Sequence, residues 1–209
     1  MALGASDIKK GVFIVVEGAP YVVLSLVHSH IGRGGAVFQT KIRNLKTGAI
    51  LERNFKPGET LTEAEIRKAQ AKFIYERRGE YWFHEANKPA NRFSIKAEVL
   101  EGKSVFLKPE MEVVALKFIK DDKASPGALG RPRNGLAGRP REEIINVELP
   151  VKADYKVIES PPSIRGNTAD GGRKTVTVEG GLKVSVPLFI GEGDVIRINT
   201  DTGDYDERV

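Results

Sequence analysis

The chain contains no cysteine, one tryptophan and only three histidines among its 209 residues. Without cysteine there is no disulfide framework and no thiolate metal site. Aromatic residues make up 7% of the chain against 22 glycines, a balance that favours short strands and turns over long helices. No stretch approaches the ~20 apolar residues that a membrane span requires. The opening segment, residues 1–10, has no apolar core of signal-peptide length. The expectation is a soluble, cytoplasmic protein with no membrane partner. Catalytic signatures are missing too: there is no Gly-x-Ser-x-Gly, no Walker loop and no Gly-x-Gly-x-x-Gly opening a helix. The carboxylates are scattered, as on solvated faces, and no acid, base and nucleophile converge. Neither an enzyme nor a cofactor is expected.

What is present is a localised charge. The formal net charge is +5, from 33 basic and 28 acidic residues. Residues 123–141 hold Lys123, Arg131, Arg133, Arg139 and Arg141 and no acid. Those five account for the whole excess, leaving 28 basic and 28 acidic residues elsewhere. A basic balance points to nucleic acid or an anionic surface; here it points there from one segment. That segment carries Gly-Arg-Pro-Arg twice, at 130–133 and 138–141. Proline blocks regular ladders and glycine raises the ordering cost. The segment reads as a long flexible loop joining two strands, its arginines available to nucleic-acid phosphates.

Strand signals fill the rest. Residues 11–17, 20–28, 36–44 and 49–55 each read as a strand, with turns between them, which suggests a small barrel. Thr62-Glu63-Ala64-Glu65 has capping-box spacing and argues for a helix start. Residues 66–75 have helical propensities, yet Ala69, Ala71, Phe73 and Tyr75 alternate as a strand would; helix and strand both remain open there. Arg77-Arg78-Gly79-Glu80 reads as a hairpin turn, Tyr81–His84 as a strand, and 94–100 as a short helix. Further strands are expected at 111–119, 144–149, 155–158, 174–178, 182–189 and 194–199. The reading is all-β, three modules in series: 1–66, 67–149 and 150–209.

Three local features invite chemistry. His28 and His30 would share one face of a strand, but with His84 as the remaining histidine they read as polar hairpin residues, and no metal is expected. Tyr81-Trp82-Phe83 could offer a base-stacking platform. Alternation puts Trp82 on one face with Tyr81 and Phe83 on the other, and core packing is the expected role. Third, Arg33 stands alone among Gly32, Gly34 and Gly35, between Tyr21–Val27 and an alternating run from Ala36 to Arg43. Period-two alternation on the second flank reads as a half-buried strand. The expected element is a hairpin whose tip presents one long cation. An ordinary glycine turn with a solvated arginine fits the local sequence as well.

In this order the segments resemble the bacterial elongation factor P family along nearly the whole chain. Asp7-Ile-Lys-Lys-Gly-Val-Phe-Ile-Val-Val-Glu-Gly-Ala-Pro-Tyr21 is similar to the family's opening strands, and Lys41-Ile-Arg-Asn-Leu-Lys-Thr-Gly48 to a later strand and turn. The strongest match is Lys174-Thr-Val-Thr-Val-Glu-Gly-Gly-Leu-Lys-Val-Ser-Val-Pro-Leu-Phe-Ile-Gly-Glu-Gly193, followed by the ending Asp201-Thr-Gly-Asp-Tyr-Asp-Glu-Arg208. The resemblance implies an N-terminal SH3-like (KOW-type) barrel and two OB-folds, in an L-shaped, tRNA-like arrangement. It implies a monomer that binds the ribosome between the peptidyl-tRNA and exit sites and relieves stalling at consecutive prolines. On that resemblance Arg33 is the loop-tip residue reaching toward the peptidyl-transferase centre, with Gly32, Gly34, Gly35 and His30 in its loop. Relatives carry a modified lysine or a modified arginine there. This chain is of the arginine type, and an arginine-modifying enzyme or an unmodified Arg33 are both open. Gly166, Asn167 and Thr168 fall in the loop that approaches exit-site mRNA, where the family usually has Asp in place of Asn167. Tyr205 and Arg208 match residues associated with tRNA contact. The 123–141 block replaces a short turn of the family pattern. The competing reading is a general RNA-binding OB-fold protein that acts without ribosomes.

Overall fold

The structure, a computed structural model, describes residues 2–30, 36–120, 141–162 and 172–209. Its strands are β1 (Ala2–Gly4), β2 (Phe13–Val16), β3 (Ala19–His30), β4 (Ala36–Asn44), β5 (Ile50–Phe55), β6 (Thr60–Glu63), β7 (Ile66–Arg77), β8 (Glu80–Glu85), β9 (Lys88–Lys96), β10 (Glu112–Lys120), β11 (Arg141–Glu148), β12 (Lys152–Glu159), β13 (Arg173–Val178), β14 (Lys183–Pro187), β15 (Val195–Asn199) and β16 (Tyr205–Arg208). Among the described residues there is no α-helix, only 3-10 turns at Ala5–Asp7 and Lys103–Phe106. The strands form three sheets, ordered β1-β6-β2-β3-β4-β5, β11-β10-β7-β8-β9 and β14-β13-β12-β15-β16. The chain is all-β, and its N-terminal and C-terminal sheets are consistent with KOW-like and OB-type barrels.

The segment after the capping box, open between helix and strand, is a strand, and the short helix expected at 94–100 is strand to Lys96 and turn beyond it. The capping-box residues Thr62 and Glu63 end β6, and the following segment is β7. Tertiary pairing overrides propensity here. Ala71 and Phe73 are buried while their neighbours are not, and β7 pairs with β8 from Ala71↔Glu85 to Arg77↔Glu80. Likewise Ser94 and Lys96 belong to β9, with Ile95 buried between them and Ser94 opposite Trp82. The Arg77–Glu80 turn forms as expected. Arg78 (φ 55°) and Gly79 (φ 76°) both adopt positive φ, as a two-residue type I′ hairpin demands. Glycine takes that conformation without a Cβ penalty, and the Gly79 N–H donates to Glu76 Oε1 at 2.8 Å.

By compactness the chain divides into two units: residues 1–69, 98–100 and 115–147, and residues 70–97, 101–114 and 148–209. In the first, period-two alternation serves two cores. Ile14 and Val16 of β2 face inward with Val23, Ile42, Phe55 and Leu61. Phe13 and Val15, on the opposite face of the same strand, pack against Leu45, Ala64, Leu116, Phe118 and Ile145. Each fully buried aliphatic side chain contributes about 1.5–3 kcal/mol relative to exposure. At Gly48 (φ 74°) an added Cβ would sit 2.8 Å from the Glu98 carbonyl oxygen, so the turn after β4 admits only glycine without a shift. In the second unit Tyr155, Val157, Val176, Val178, Ile196 and Ile198 are buried from alternate positions of β12, β13 and β15. The Tyr155 hydroxyl donates to the Phe106 carbonyl at 2.5 Å. Burial, reinforced by the Glu179 charge, pushes that phenol upward, so it stays neutral and donates throughout the physiological range.

Candidate nucleic-acid interface

The β3–β4 hairpin is the longest antiparallel pairing whose register is described, running from Tyr21↔Asn44 to His30↔Ala36. Alternation along β4 decides its faces: Phe38, Thr40 and Ile42 are buried, Gln39 and Lys41 exposed. The buried Thr40 hydroxyl donates to the Arg53 carbonyl at 2.6 Å. The last β4–β5 pair is Phe38↔Phe55, and β2 pairs with β3 only as far as Val22. Ser29↔Val37 and His30↔Ala36 therefore continue as a two-stranded arm beyond both neighbouring strands. Near its base the His28 ring stacks on Phe38, centroids 4.7 Å apart and 5° from parallel. That contact gives His28 a packing partner. No three His, Asp or Glu side chains among the described residues gather as metal ligands.

A second surface is the outer face of β7-β8-β9. Residues directly opposite one another in antiparallel strands project to the same face. Register therefore groups Tyr75, Trp82 and Ser94 in one row, flanked by Arg77, Glu80 and Lys96 on one side and by Lys72, His84 and Arg92 on the other. The Tyr75 and Trp82 rings lie 6.2 Å apart, 22° from parallel, and Tyr75 is 40% exposed. On the inner face Phe83 is fully buried against Phe73 and Phe93, and Tyr81 approaches Phe73. The expected facing of Tyr81, Trp82 and Phe83 holds, but Trp82 is not core. A bulge between Phe73 and Tyr75 inserts one residue into β7 and turns Tyr75 outward to meet it. Sequence reasoning missed this pair because strict alternation puts Tyr75 on the same face as Phe73.

The C-terminal edge strand β16 carries both residues expected to contact tRNA. Tyr205 lies opposite Ile198 and is half-buried; Arg208 lies opposite Ile196 and is exposed. The Arg208 guanidinium sits over the Phe189 ring at 5.9 Å and 3.9 Å from the Asp194 carboxylate. Phe189 is 65% exposed, so this cation–aromatic pair faces outward. Behind it, Arg197 donates to both oxygens of Asp154, at 2.7 and 3.1 Å, and to Glu207 at 2.6 Å.

Of the remaining expected site residues, His30 is placed in the backbone of β3 opposite Ala36. Arg141 opens β11 and is exposed. Its neighbours Glu142 and Glu143 are tied to Arg67 (3.2 Å) and Lys46 (2.5 Å). Gly32, Arg33, Gly34 and Gly35, the arginines Arg131, Arg133 and Arg139, and Gly166, Asn167 and Thr168 lie outside the described residues. No helix among the described residues is long and apolar enough to cross a membrane.

Comparison with known proteins assigns both ends of the chain. Residues 4–61 match the profile described as the elongation factor P (EF-P) KOW-like domain, and residues 153–208 the one described as elongation factor P, C-terminal. Over nearly its full length the chain is similar to elongation factor P of Moorella thermoacetica, 34% identical over 206 residues and 99% of each chain. It is 38% identical over 207 residues to that of Persephonella marina, covering 99% of this chain and 97% of the relative. The Thermotoga maritima protein is 34% identical over 199 residues, 95% of each chain. Among solved structures, eukaryotic translation initiation factor 5A from Methanococcus jannaschii aligns with a TM-score of 0.44 and 14% identity, over 56% of this chain and 86% of that one.

Proposed function

Because the chain belongs to the elongation factor P family and is a translation elongation factor, we propose that it binds the ribosome between the peptidyl-tRNA and exit sites. There it speeds peptide-bond formation at consecutive prolines. The observation that carries this reading is the β3–β4 arm, paired out to His30↔Ala36 beyond its neighbouring strands. Residues 31–35 join its two sides, and Arg33 is the cation among them.

The chemistry is positional. A proline nucleophile is hindered, and a loosely held peptidyl-tRNA end slows its attack further. Fixing that end converts part of the barrier into prepaid orientation, for which well-ordered reactants gain up to roughly 7–11 kcal/mol in favourable cases. A guanidinium there would pair with phosphate and with developing negative charge. On this reading the N-terminal SH3-like domain, 1–66, delivers the arm. The OB-fold domains, 67–149 and 150–209, hold the factor in place, and their assignment is supported by sheets drawn from 66–148 and 152–208. Arg208 and Tyr205 would face tRNA from the edge strand, and Gly166–Thr168 the exit-site mRNA. The block with Arg131, Arg133, Arg139 and Arg141 would contact rRNA.

The test is reconstituted translation of a reporter with and without a triple-proline stretch, using wild-type chain and Arg33→Ala. Wild type should accelerate only the proline reporter. Arg33→Ala should lose that acceleration while still co-sedimenting with ribosomes. Full acceleration by Arg33→Ala would remove Arg33 from the mechanism, and absence of wild-type co-sedimentation would overturn the ribosomal reading.

A further inference from the structure

The outer face of β7-β8-β9 is not used by the mechanism above, and its composition is specific. Tyr75 and Trp82 form a ring pair at its centre, with Tyr75 40% exposed. Arg77 and Lys96 flank the pair on one side and Arg92 on the other, all three exposed. None of the three makes an ion pair with a described residue, whereas Lys103, Lys108, Lys152, Arg197 and Arg208 of the same unit are each held by a carboxylate. Glu80 lies between Arg77 and Lys96 in the register, so that side keeps one net positive charge, and Arg92 supplies another on the opposite side. Aromatic area with net positive charge on both sides suits a ligand that brings planar rings and regularly spaced anions together. An acidic peptide would satisfy the cations and leave the rings uncovered. An apolar protein surface would cover the rings and strand the charges. A duplex keeps its bases stacked inside and presents no free ring.

We propose that this face docks an unpaired segment of ribosomal RNA. A base stacks on the Tyr75–Trp82 pair, and Arg77, Lys96 and Arg92 hold the flanking phosphates. The ribosomal source rests on the function proposed above; the stacking rests on the face alone. Sequence-tolerant binding follows, because every base offers a π-face.

Trp82 is the only tryptophan of the chain, so intrinsic tryptophan fluorescence reports this face and no other. The experiment titrates the full chain with an oligouridine decamer and, separately, with a blunt RNA duplex of the same length. Saturable quenching by the single strand, and not by the duplex, is expected. Tyr75→Ala, which keeps the reporter, should weaken binding about tenfold, within the range of base–aromatic stacking. Arg77→Gln with Lys96→Gln should lower the log–log salt slope by about 1.4, at about 0.7 per cation on a single strand. Absence of saturable quenching overturns the proposal, as does equal quenching by duplex or an unchanged affinity of Tyr75→Ala. In ribosome co-sedimentation across a salt series, the double variant should bind more weakly than wild type with a shallower slope. Equal binding, or cross-linking from position 75 to a ribosomal protein instead of RNA, overturns the ribosomal source. If wild type fails to co-sediment while the decamer still quenches Trp82, the ribosomal reading falls and the source with it, but the stacking face stands. Failure of the two ideas is thereby distinguished. Thermal melts of each variant confirm folding, since the substituted side chains are exposed.

Discussion

Arg197 of β15 grips Asp154 of β12 through two parallel hydrogen bonds, Nε to Oδ1 at 2.7 Å and Nη2 to Oδ2 at 3.1 Å. With its remaining nitrogen it reaches Glu207, directly opposite on β16, at 2.6 Å. One guanidinium thus ties the edge strand that carries Tyr205 and Arg208 to the centre of its sheet. A bidentate fork of this kind is available to arginine and not to lysine.

That grip sets a pH dependence. The Arg197 hydrogen bonds, with smaller attraction from Arg197 and Lys108, hold the Asp154 carboxyl below its ordinary value despite partial burial. A group whose pKa is depressed on folding stabilises the fold above its unfolded pKa, about 3.9 for aspartate. That contribution is lost as the pH falls through the folded value. Asp154→Asn should therefore melt below wild type at neutral pH, and the gap should close as the pH falls below about 4. The side chain is 40% exposed, so the gap is modest. Melting curves of both proteins across the acid range decide it; a gap that persists in acid would assign the effect to packing.

Gly48 offers a test of backbone geometry. At φ 74° and with the Glu98 carbonyl oxygen 2.8 Å from a would-be Cβ, Gly48→Ala incurs both left-handed strain and a clash with backbone. Backbone cannot swing aside as a flexible side chain can. A loss of about 1–3 kcal/mol is expected, read as a lowered denaturant midpoint. An unchanged midpoint would mean that the 98–100 segment shifts freely.

Trp82 and Phe83 are neighbours in sequence with opposite roles, and stability should separate them. Phe83 is fully buried between Phe73 and Phe93, so Phe83→Ala should cost about 3–5 kcal/mol. Trp82→Ala removes one outward aromatic pair and should cost about 1 kcal/mol. Unfolding followed by backbone circular dichroism ranks the two; equal losses would place Trp82 in the core.

These contrasts show where sequence was sufficient and where it was not. The alternation Phe38, Thr40, Ile42 against Gln39 and Lys41 was readable because β4 is regular and half-buried. The hairpin turn at Arg78-Gly79 was readable because positive φ at Gly79 selects glycine. The stretch after Thr62 was not. Its local propensities are helical, and only pairing with β8, distant information, makes it a strand. Tyr75 was concealed by a single inserted residue, since a bulge reverses facing without leaving a mark on composition. Tyr205 and Arg208 were located by resemblance, but the Asp154–Arg197–Glu207 tie behind them joins positions 154, 197 and 207, a link that only the folded sheet brings into register.

The basic block gives the last prediction. β10 ends at Lys120 and β11 begins at Arg141, and these strands are neighbours in their sheet. A short turn can therefore replace residues 124–140 without parting the strands. The deletion removes Arg131, Arg133 and Arg139 and keeps Lys123 and Arg141. If the three arginines engage rRNA phosphates, each contributes about 0.7–0.9 to the log–log salt slope of ribosome binding. The shortened chain should then show a slope shallower by about 2–3, with the largest loss of affinity at low salt. Acceleration at consecutive prolines should survive at saturating factor, because residues 31–35 and the β3–β4 arm are untouched. Ribosome affinity of both chains across a salt series reads the outcome. Identical slopes would separate the block from rRNA and leave the chain's net positive charge without a part in binding, and lost proline rescue at saturation would assign the block to the mechanism itself.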